Sequence, residues 1–494
     1  MIIFAVGKEA PFGKLQLGNK MTKKHDDIHW AMAHFHVTEP MLEKTLAKAL
    51  ARGGNYADLF FQHTMTFAMM MHDNEVSNCS QNVDYGVGVR CVSQEHTGYA
   101  YCEEVTLENL LHAAEAASQI ANSSKMGNVA PLQIRQTQNH YPIITPFEQS
   151  DVSAFRKLLE SSSEWAHQLD SRVVKLSANI AYNYSHIMIA NSLGALTYDF
   201  RPMVTFSVRC VMEHNGRRES GGAARSYRMG IEFFSDEMVK NVTSEAVGNT
   251  AKLFEAIQPK GGEMTVVMGA GSSGILLHEA IGHAFEADFN RKNTSIFSDK
   301  LGKTICSSDI TIVDSGIQSN NRGAVNVDDE GVEGKETIIV NRGVLSSYLH
   351  DRISAAHYGV EPTGNGRREN FRQPPVPRMR STYMLPGTLP QEALIQDVKH
   401  GIFLTDFSNG QVNIGVGDFT FYARFGYLIE DGRLTQPVKD INVIGNGPQA
   451  LADITAVAAD LEISNSTWMC GKAGQSVPVC CGMPSVTVKK MMVG

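Results

Sequence analysis

The chain has 494 residues, 43% of them apolar and 19% charged, with 44 basic against 52 acidic side chains and a formal net charge of −8. This is the composition of a globular protein of two or three domains, and it excludes disorder as the main state. The mild acidic excess argues against direct nucleic-acid binding, and no apolar run approaches the about 18–20 residues that cross a bilayer.

The first 37 residues lack periodicity, and the opening MIIFAV is too short, with no basic residue before it, for a secretory signal. Residues 1–37 therefore read as a poorly ordered lead-in. Eight dispersed cysteines are too sparse for a disulfide framework, so a cytoplasmic location with reduced thiols is expected. A first helix opens at Thr38, followed by Glu39 and Pro40, carries Met41, Leu42, Leu46 and Leu50, and stops at Gly53-Gly54. Strand-like segments fill residues 57–101, and helical spacing returns over 107–120 and 152–169. Residues 172–217 alternate with period two, as in an antiparallel meander. A helix over 236–256 leads to Gln258-Pro-Lys-Gly-Gly262, the clearest domain boundary. A short strand over 264–268, the turn Gly269-Ala-Gly-Ser-Ser-Gly274 and a helix from about Ser273 come next. The remainder is Gly-rich, with hairpin signals at Asn341-Arg-Gly343 and Glu430-Asp-Gly432 and one helix over 448–460. The expected fold class is α+β: an N-terminal α+β domain (38–258), then a mostly β C-terminal domain (262–494) with one conspicuous helix.

That helix reads Gly274-Ile-Leu-Leu-His278-Glu279-Ala-Ile-Gly282-His283-Ala-Phe-Glu286-Ala-Asp288. Zinc proteases place two histidines at i and i+4 with a glutamate base between them; here the spacing is i, i+5. At about 100° per residue the two histidines stand roughly 140° apart, where i+4 would give roughly 40°. A π-bulge would bring them together, and Gly282, permissive of distortion, sits where it would have to form. On spacing alone two readings stay open: a metal pair, or two unrelated histidines with Glu286 or Asp288 as hydrogen-bond partners. Gly269, Gly271 and Gly274 have the spacing of a phosphate cradle but lack the acidic residue that would follow it, and they read as a tight turn into the helix. Cys470 by itself reads as a small buried hydrophobe, and the adjacent Cys480 and Cys481 read as structural.

The stretch HEAIGHAFEADFNRKNTSIFSDKLG is similar to the signature of the TldD/PmbA peptidase family. DDEGVEGKETIIVNRGVL (328–345), Pro362-Thr-Gly-Asn-Gly-Arg-Arg-Glu-Asn370 and Cys470-Gly-Lys-Ala-Gly-Gln-Ser-Val-Pro-Val479 agree in the same order, and the resemblance spans residues 37–494. The non-catalytic PmbA half of the family lacks HExxxH, so this chain resembles the TldD half. The resemblance implies one zinc ion per catalytic chain, held by His278, His283 and Cys470. Such a donor set leaves an open position for water, with Glu279 as general base on the metal-activated water. Glu286, then Asp288, are the alternative third ligands. Asp288, Arg291, Arg367 and Arg368, with Arg342, are candidates to support the site or to grip substrate; the arginines could equally form surface salt bridges, and support of Asp288 is the favoured reading. The implied activity is a metallopeptidase acting on short or unfolded peptides, bound extended along a sheet edge. The implied assembly is an oligomer with a PmbA/TldE-type partner subunit, or a homodimer. Two alternatives stand beside it. One is a non-enzymatic regulatory or binding protein of the DNA-gyrase-modulator type. The other makes Cys470 a nucleophile, which would leave Glu279 without a role.

Overall fold

The alternating runs of the first half build one sheet of long strands in a computed structural model that describes residues 28–123 and 125–494. Its strands are β1 (Tyr56–His72), β2 (Glu75–Ser93), β3 (His96–Cys102), the short β4 (Gln133–Ile134), β5 (Val173–Asn191), β6 (Ala195–His214) and β7 (Arg217–Tyr227). They lie in the order β3-β2-β1-β5-β6, with β4 and β7 both paired to β6. All pairings are antiparallel except β4 with β6.

Helices α1 (Ile28–His34), α2 (Glu39–Ala49) and α3 (Leu107–Ser118) cover one half of the sheet, and α4 (Val152–Leu169) and α5 (Asp236–Ala251) the other. Side chains alternate across a strand, so parity shows which face is covered. Ala57, Leu59 and Phe61 enter the first helix-packed core, and Phe67, Met69 and Met71, of the same parity, enter the second. All five helices thus share one face. On the opposite face Phe60, Ile187 and Ile189 meet Val327 and Phe371 of the C-terminal half.

Polar caps fix several of these helices: Thr106, Asp151 and Ser235 accept bonds from the backbone N–H groups of Asn109, Ser153 and Met238. Thr38 takes the extended cap conformation without a side-chain bond. Of the expected lead-in, residues 1–27 lie outside the described residues. Residues 28–37 are ordered, a correction to the sequence reading. Ile28, Ala31, Phe35 and Val37 are buried in the first core, and the first three have helical spacing in a run too short to be read as periodic.

The C-terminal half opens with β8 (Gly262–Met268), which pairs in parallel with His400–Val412 and antiparallel with Val486–Val493 inside a six-stranded sheet. A second six-stranded sheet contains Ile312–Ser315, Ser381–Met384 and Cys480–Met483. One core fills the space between the two sheets. Val266, Leu404 and Phe421 come from the first sheet, Ile312, Met384 and Met483 from the second, and Leu277, Ile281 and Phe285 from the histidine-bearing segment. Both expected hairpins form, turning on Arg342 (φ 46°) with Gly343 (φ 81°) and on Asp431 (φ 47°) with Gly432 (φ 74°). The helix expected over 448–460 is shorter, Gly447–Ala452. Ile454–Val457 instead forms a strand against Val486–Val493, because an available sheet edge outweighs weak helical periodicity.

Candidate metal centre

The histidines are carried by a segment that is not a regular α-helix. Ser272–Gly274 is a 3-10 turn, Leu276–Gly282 is π-helical and His283–Phe285 is 3-10 again. The His283 N–H donates to the carbonyl of His278, five residues back, which is the bond that defines a π turn. The extra residue swings His283 round to the side of His278, and their ring centroids lie 5.1 Å apart. Glycine is required at 282: a Cβ there would stand 2.7 Å from the Leu277 oxygen and 2.3 Å from Met379 Sδ. Gly274 lets the segment start against the neighbouring sheet, since a Cβ would lie 2.5 Å from the Gly482 nitrogen. The glycine-rich turn thus has a packing role.

Cys470 reaches the same point from the hairpin Met469–Lys472 with Gln475–Pro478. Its Sγ lies 3.5 Å from His283 Nε2, and the potential ligand atoms of His278, His283 and Cys470 all fall within 4.8 Å of one another. All three side chains are buried. Both imidazole nitrogens of His278 are buried without a hydrogen-bond partner, a costly state for polar groups unless something else engages them. Two imidazoles and one thiol that converge on such orphaned nitrogens fit a Zn²⁺-type ion with an open position.

The electrostatics suit a thiolate. Burial raises the Cys470 thiol, but the His278 and His283 imidazoles reverse this and hold it well below its usual value. Burial lowers the His283 imidazole, but the Glu286 carboxylate and Cys470 raise it well above its usual value. Glu279, beside His278, is half-buried and makes no hydrogen bond or ion pair among the described residues.

The other expected residues divide. Glu286 and Asp288 do not join the three: Glu286 Oε2 accepts from His283 Nδ1 at 3.0 Å, and Asp288 bonds Lys472 Nζ at 2.7 Å. Burial pushes the Glu286 carboxyl up, but Lys472 and His283 more than reverse this and hold it at about 2. Arg367 supports the cysteine hairpin, donating to the carbonyls of Met379 (2.7 Å) and Pro478 (2.8 Å). Arg291 and Arg368 form ion pairs away from the three converging side chains, the salt-bridge alternative of the sequence reading rather than the favoured support of Asp288. Arg291 pairs with Glu95 at 2.5 Å, and Arg368 with Asp58 at 3.2 Å and the Asp329 carbonyl at 2.9 Å, so both tie the two halves together. Arg342 contributes a turn. Two residues escaped the sequence reading. Arg378, fully buried, donates to the Cys470 carbonyl, and nothing in the sequence marks it. Lys472, two residues after Cys470 on a strand and so on its face, carried a readable signal.

A cleft of about 1090 Å³ lies between β7 and residues 462–469, lined among others by Ser220, Gly222, Ala224, Asn465, Trp468 and Met469. Met469 directly precedes Cys470. Among the described strands β7 pairs with β6 alone, and the Ser226 N–H on its outer side donates to the Asn465 carbonyl at 2.8 Å. By alternation Gly222 and Ala224 turn their backbone groups the same way.

Three consecutive family profiles match the chain: PmbA/TldA metallopeptidase domain 1 over residues 57–121, the central domain over 145–254 and the C-terminal domain over 261–494. A Haemophilus influenzae protein named metalloprotease TldD homolog is 38% identical over 451 residues, 90% of this chain and 93% of that protein. A Saccharolobus solfataricus protein named zinc metalloprotease TldD homolog is 35% identical, over 91% of this chain and 99% of that one. Among solved structures, TldE of Thermococcus kodakarensis superposes with a TM-score of 0.69 at 17% identity, covering 91% of this chain and 99% of its own. A Thermotoga maritima protein described as a candidate modulator of DNA gyrase gives 0.74 at 21% identity, covering 92% and 100%. At such identities these two establish a shared fold.

Proposed function

Because the chain belongs to the PmbA/TldD metallopeptidase family, we propose that it is a zinc-dependent peptidase of HExxxH type acting on short or unfolded peptides. The observation that carries this reading is the convergence of His278, His283 and Cys470 around unpartnered imidazole nitrogens. These three residues would hold one Zn²⁺. When bound, the ion lowers the pKa of water and polarises the scissile carbonyl. Glu279, adjacent in sequence and free of other bonds, takes a proton from the attacking water and returns it to the leaving amine. The open edge of β7 offers backbone groups to a peptide in extended form, which selects length and lack of structure above side-chain identity. We assign the protein to the cytoplasm, in keeping with eight unpaired cysteines and with the absence, among the described residues, of a helix long and apolar enough to cross a membrane. A TldE-type subunit or a second copy of this chain would complete the assembly.

The deciding experiment measures metal per chain, and hydrolysis of an unstructured peptide, in the native protein and in His283→Ala, Cys470→Ala and Glu279→Gln. About one zinc is expected in the native chain, lost from the first two variants. Glu279→Gln should keep its metal and lose about 10²–10⁴-fold in rate. Metal kept in Cys470→Ala would move the third ligand to Glu286 or Asp288. A native chain that takes up no metal, or full function in Glu279→Gln, would sink the peptidase and leave a regulatory binding protein.

A further inference from the structure

Lys472 is half-buried as a residue, but its side chain is only 6% exposed, and its ammonium is fully engaged. Nζ lies 3.0 Å from Glu286 Oε2, 2.7 Å from Asp288 Oδ1 and 2.9 Å from the Pro377 carbonyl, three acceptors for three N–H donors. The cation also stands 4.3 Å over the Phe289 ring. The residue belongs to the cysteine hairpin, whereas Glu286, Asp288 and Phe289 follow His283 by three to six positions. Glu286 uses the same Oε2 to accept from His283 Nδ1, which leaves Nε2 facing Cys470 Sγ. A continuous chain of polar bonds therefore runs from the hairpin through Lys472 and Glu286 to the His283 ring.

Taking charges out of water is a poor way to gain stability. A buried ion pair replaced whole by apolar residues is often neutral or more stable. A bond to the distal nitrogen of a ligand imidazole, by contrast, fixes its orientation and raises its basicity. On the metal reading above, we propose that Lys472 is a positioning residue: it clamps the Cys470 hairpin to the segment after His283 so that thiolate and imidazole are held in register for a divalent ion. The clamp acts on where the donors stand, and it does not itself touch the ion or the substrate.

The test loads metal-free native protein, Lys472→Met, Lys472→Arg and Asp288→Asn with Zn²⁺ against a chromophoric chelator. The same proteins are then loaded with Co²⁺, whose visible spectrum reports thiolate and imidazole coordination. Lys472→Met should bind Zn²⁺ about 10–100-fold more weakly and give an altered cobalt spectrum. Because it strands the buried Glu286 carboxylate it should also melt below the native chain when both are metal-free, so affinities are compared at a temperature where both are folded. Lys472→Arg keeps the charge without the compact three-way fit and should fall between the two. A folded Lys472→Met with native affinity and a native cobalt spectrum overturns the clamp while leaving the metal site standing. Should Lys472→Met not fold, Asp288→Asn decides. It leaves the Glu286–His283 bond in place, a several-fold loss of affinity is expected, and an unchanged affinity overturns the proposal. If the native chain binds neither ion, the metal reading itself fails and the clamp falls with it.

Discussion

Gly282 concentrates the local demands of the site into one position. The π turn carries the Leu277 carbonyl and the Met379 side chain to where a methyl group would stand, so Gly282→Ala has to move backbone as well as a side chain. It should cost about 1–3 kcal/mol and, because the bulge aligns His283 with His278, also reduce zinc content. Denaturant unfolding together with metal analysis checks both parts, and a stable variant with full metal would contradict the account. The histidine spacing made this distortion legible: i, i+5 on a straight helix separates the rings, so either the metal pair or the regular helix had to be given up. Cys470 was not legible in that way. No local pattern distinguishes a ligand thiol from a packed one, and the family resemblance carried it. Arg378 and Lys472 act on carbonyls and carboxylates that only the folded chain brings near, so spacing could not announce the first and merely hinted at the second.

Capping and edge exposure act at the scale of single elements, and both make predictions. Asp351 caps the helix Arg352–Tyr358, its Oδ1 accepting from the Ser354 N–H at 2.8 Å. Burial first, then the Glu330 carboxylate, push its carboxyl up to about 6. A carboxyl held higher in the folded than in the unfolded chain penalises folding once the pH exceeds its ordinary value near 4, and the penalty grows until about pH 6. Asn caps as well as Asp, so Asp351→Asn should equal the native chain in stability at pH 4 and exceed it by about 1–3 kcal/mol at pH 8. Urea unfolding at the two values gives the comparison, and an identical pH dependence would count against it. On β7, Ala224→Pro removes an outward N–H without breaking the pairing to β6. It should raise KM for peptides with metal content unchanged, and an unaltered KM would move the substrate off this edge. Helices whose caps and stripes agreed, such as α4 and α5, were readable from sequence. The overlong helix over 448–460 was not, because the strand that competes for residues 454–457 lies some thirty residues on.

At the scale of the molecule, charge buried between the two halves holds them in one orientation. Arg90, fully buried in β2, lies 2.5 Å from Asp58 and 2.8 Å from Glu330 of the C-terminal half, and Arg201 lies 2.5 Å from Asp329. Removing one partner strands the others, so Arg90→Met should cost about 3–5 kcal/mol. It should also split a single thermal transition into two as the halves uncouple, and calorimetry would detect a transition that stays single at an unchanged midpoint. This interface accounts for Asp329 and Glu330 of DDEGVEGK and for Arg368 of GNGRRE: they join the two halves, which no periodicity reveals. The hairpin that delivers Cys470 has a different consequence, set by the order of synthesis. His283 and Cys470 are 187 residues apart, so the ribosome completes the histidine segment long before the thiol exists. On the proposed metal site, a nascent chain lacks its third ligand until residue 470 has been made, so a product cut short before that point should bind zinc poorly and hydrolyse nothing.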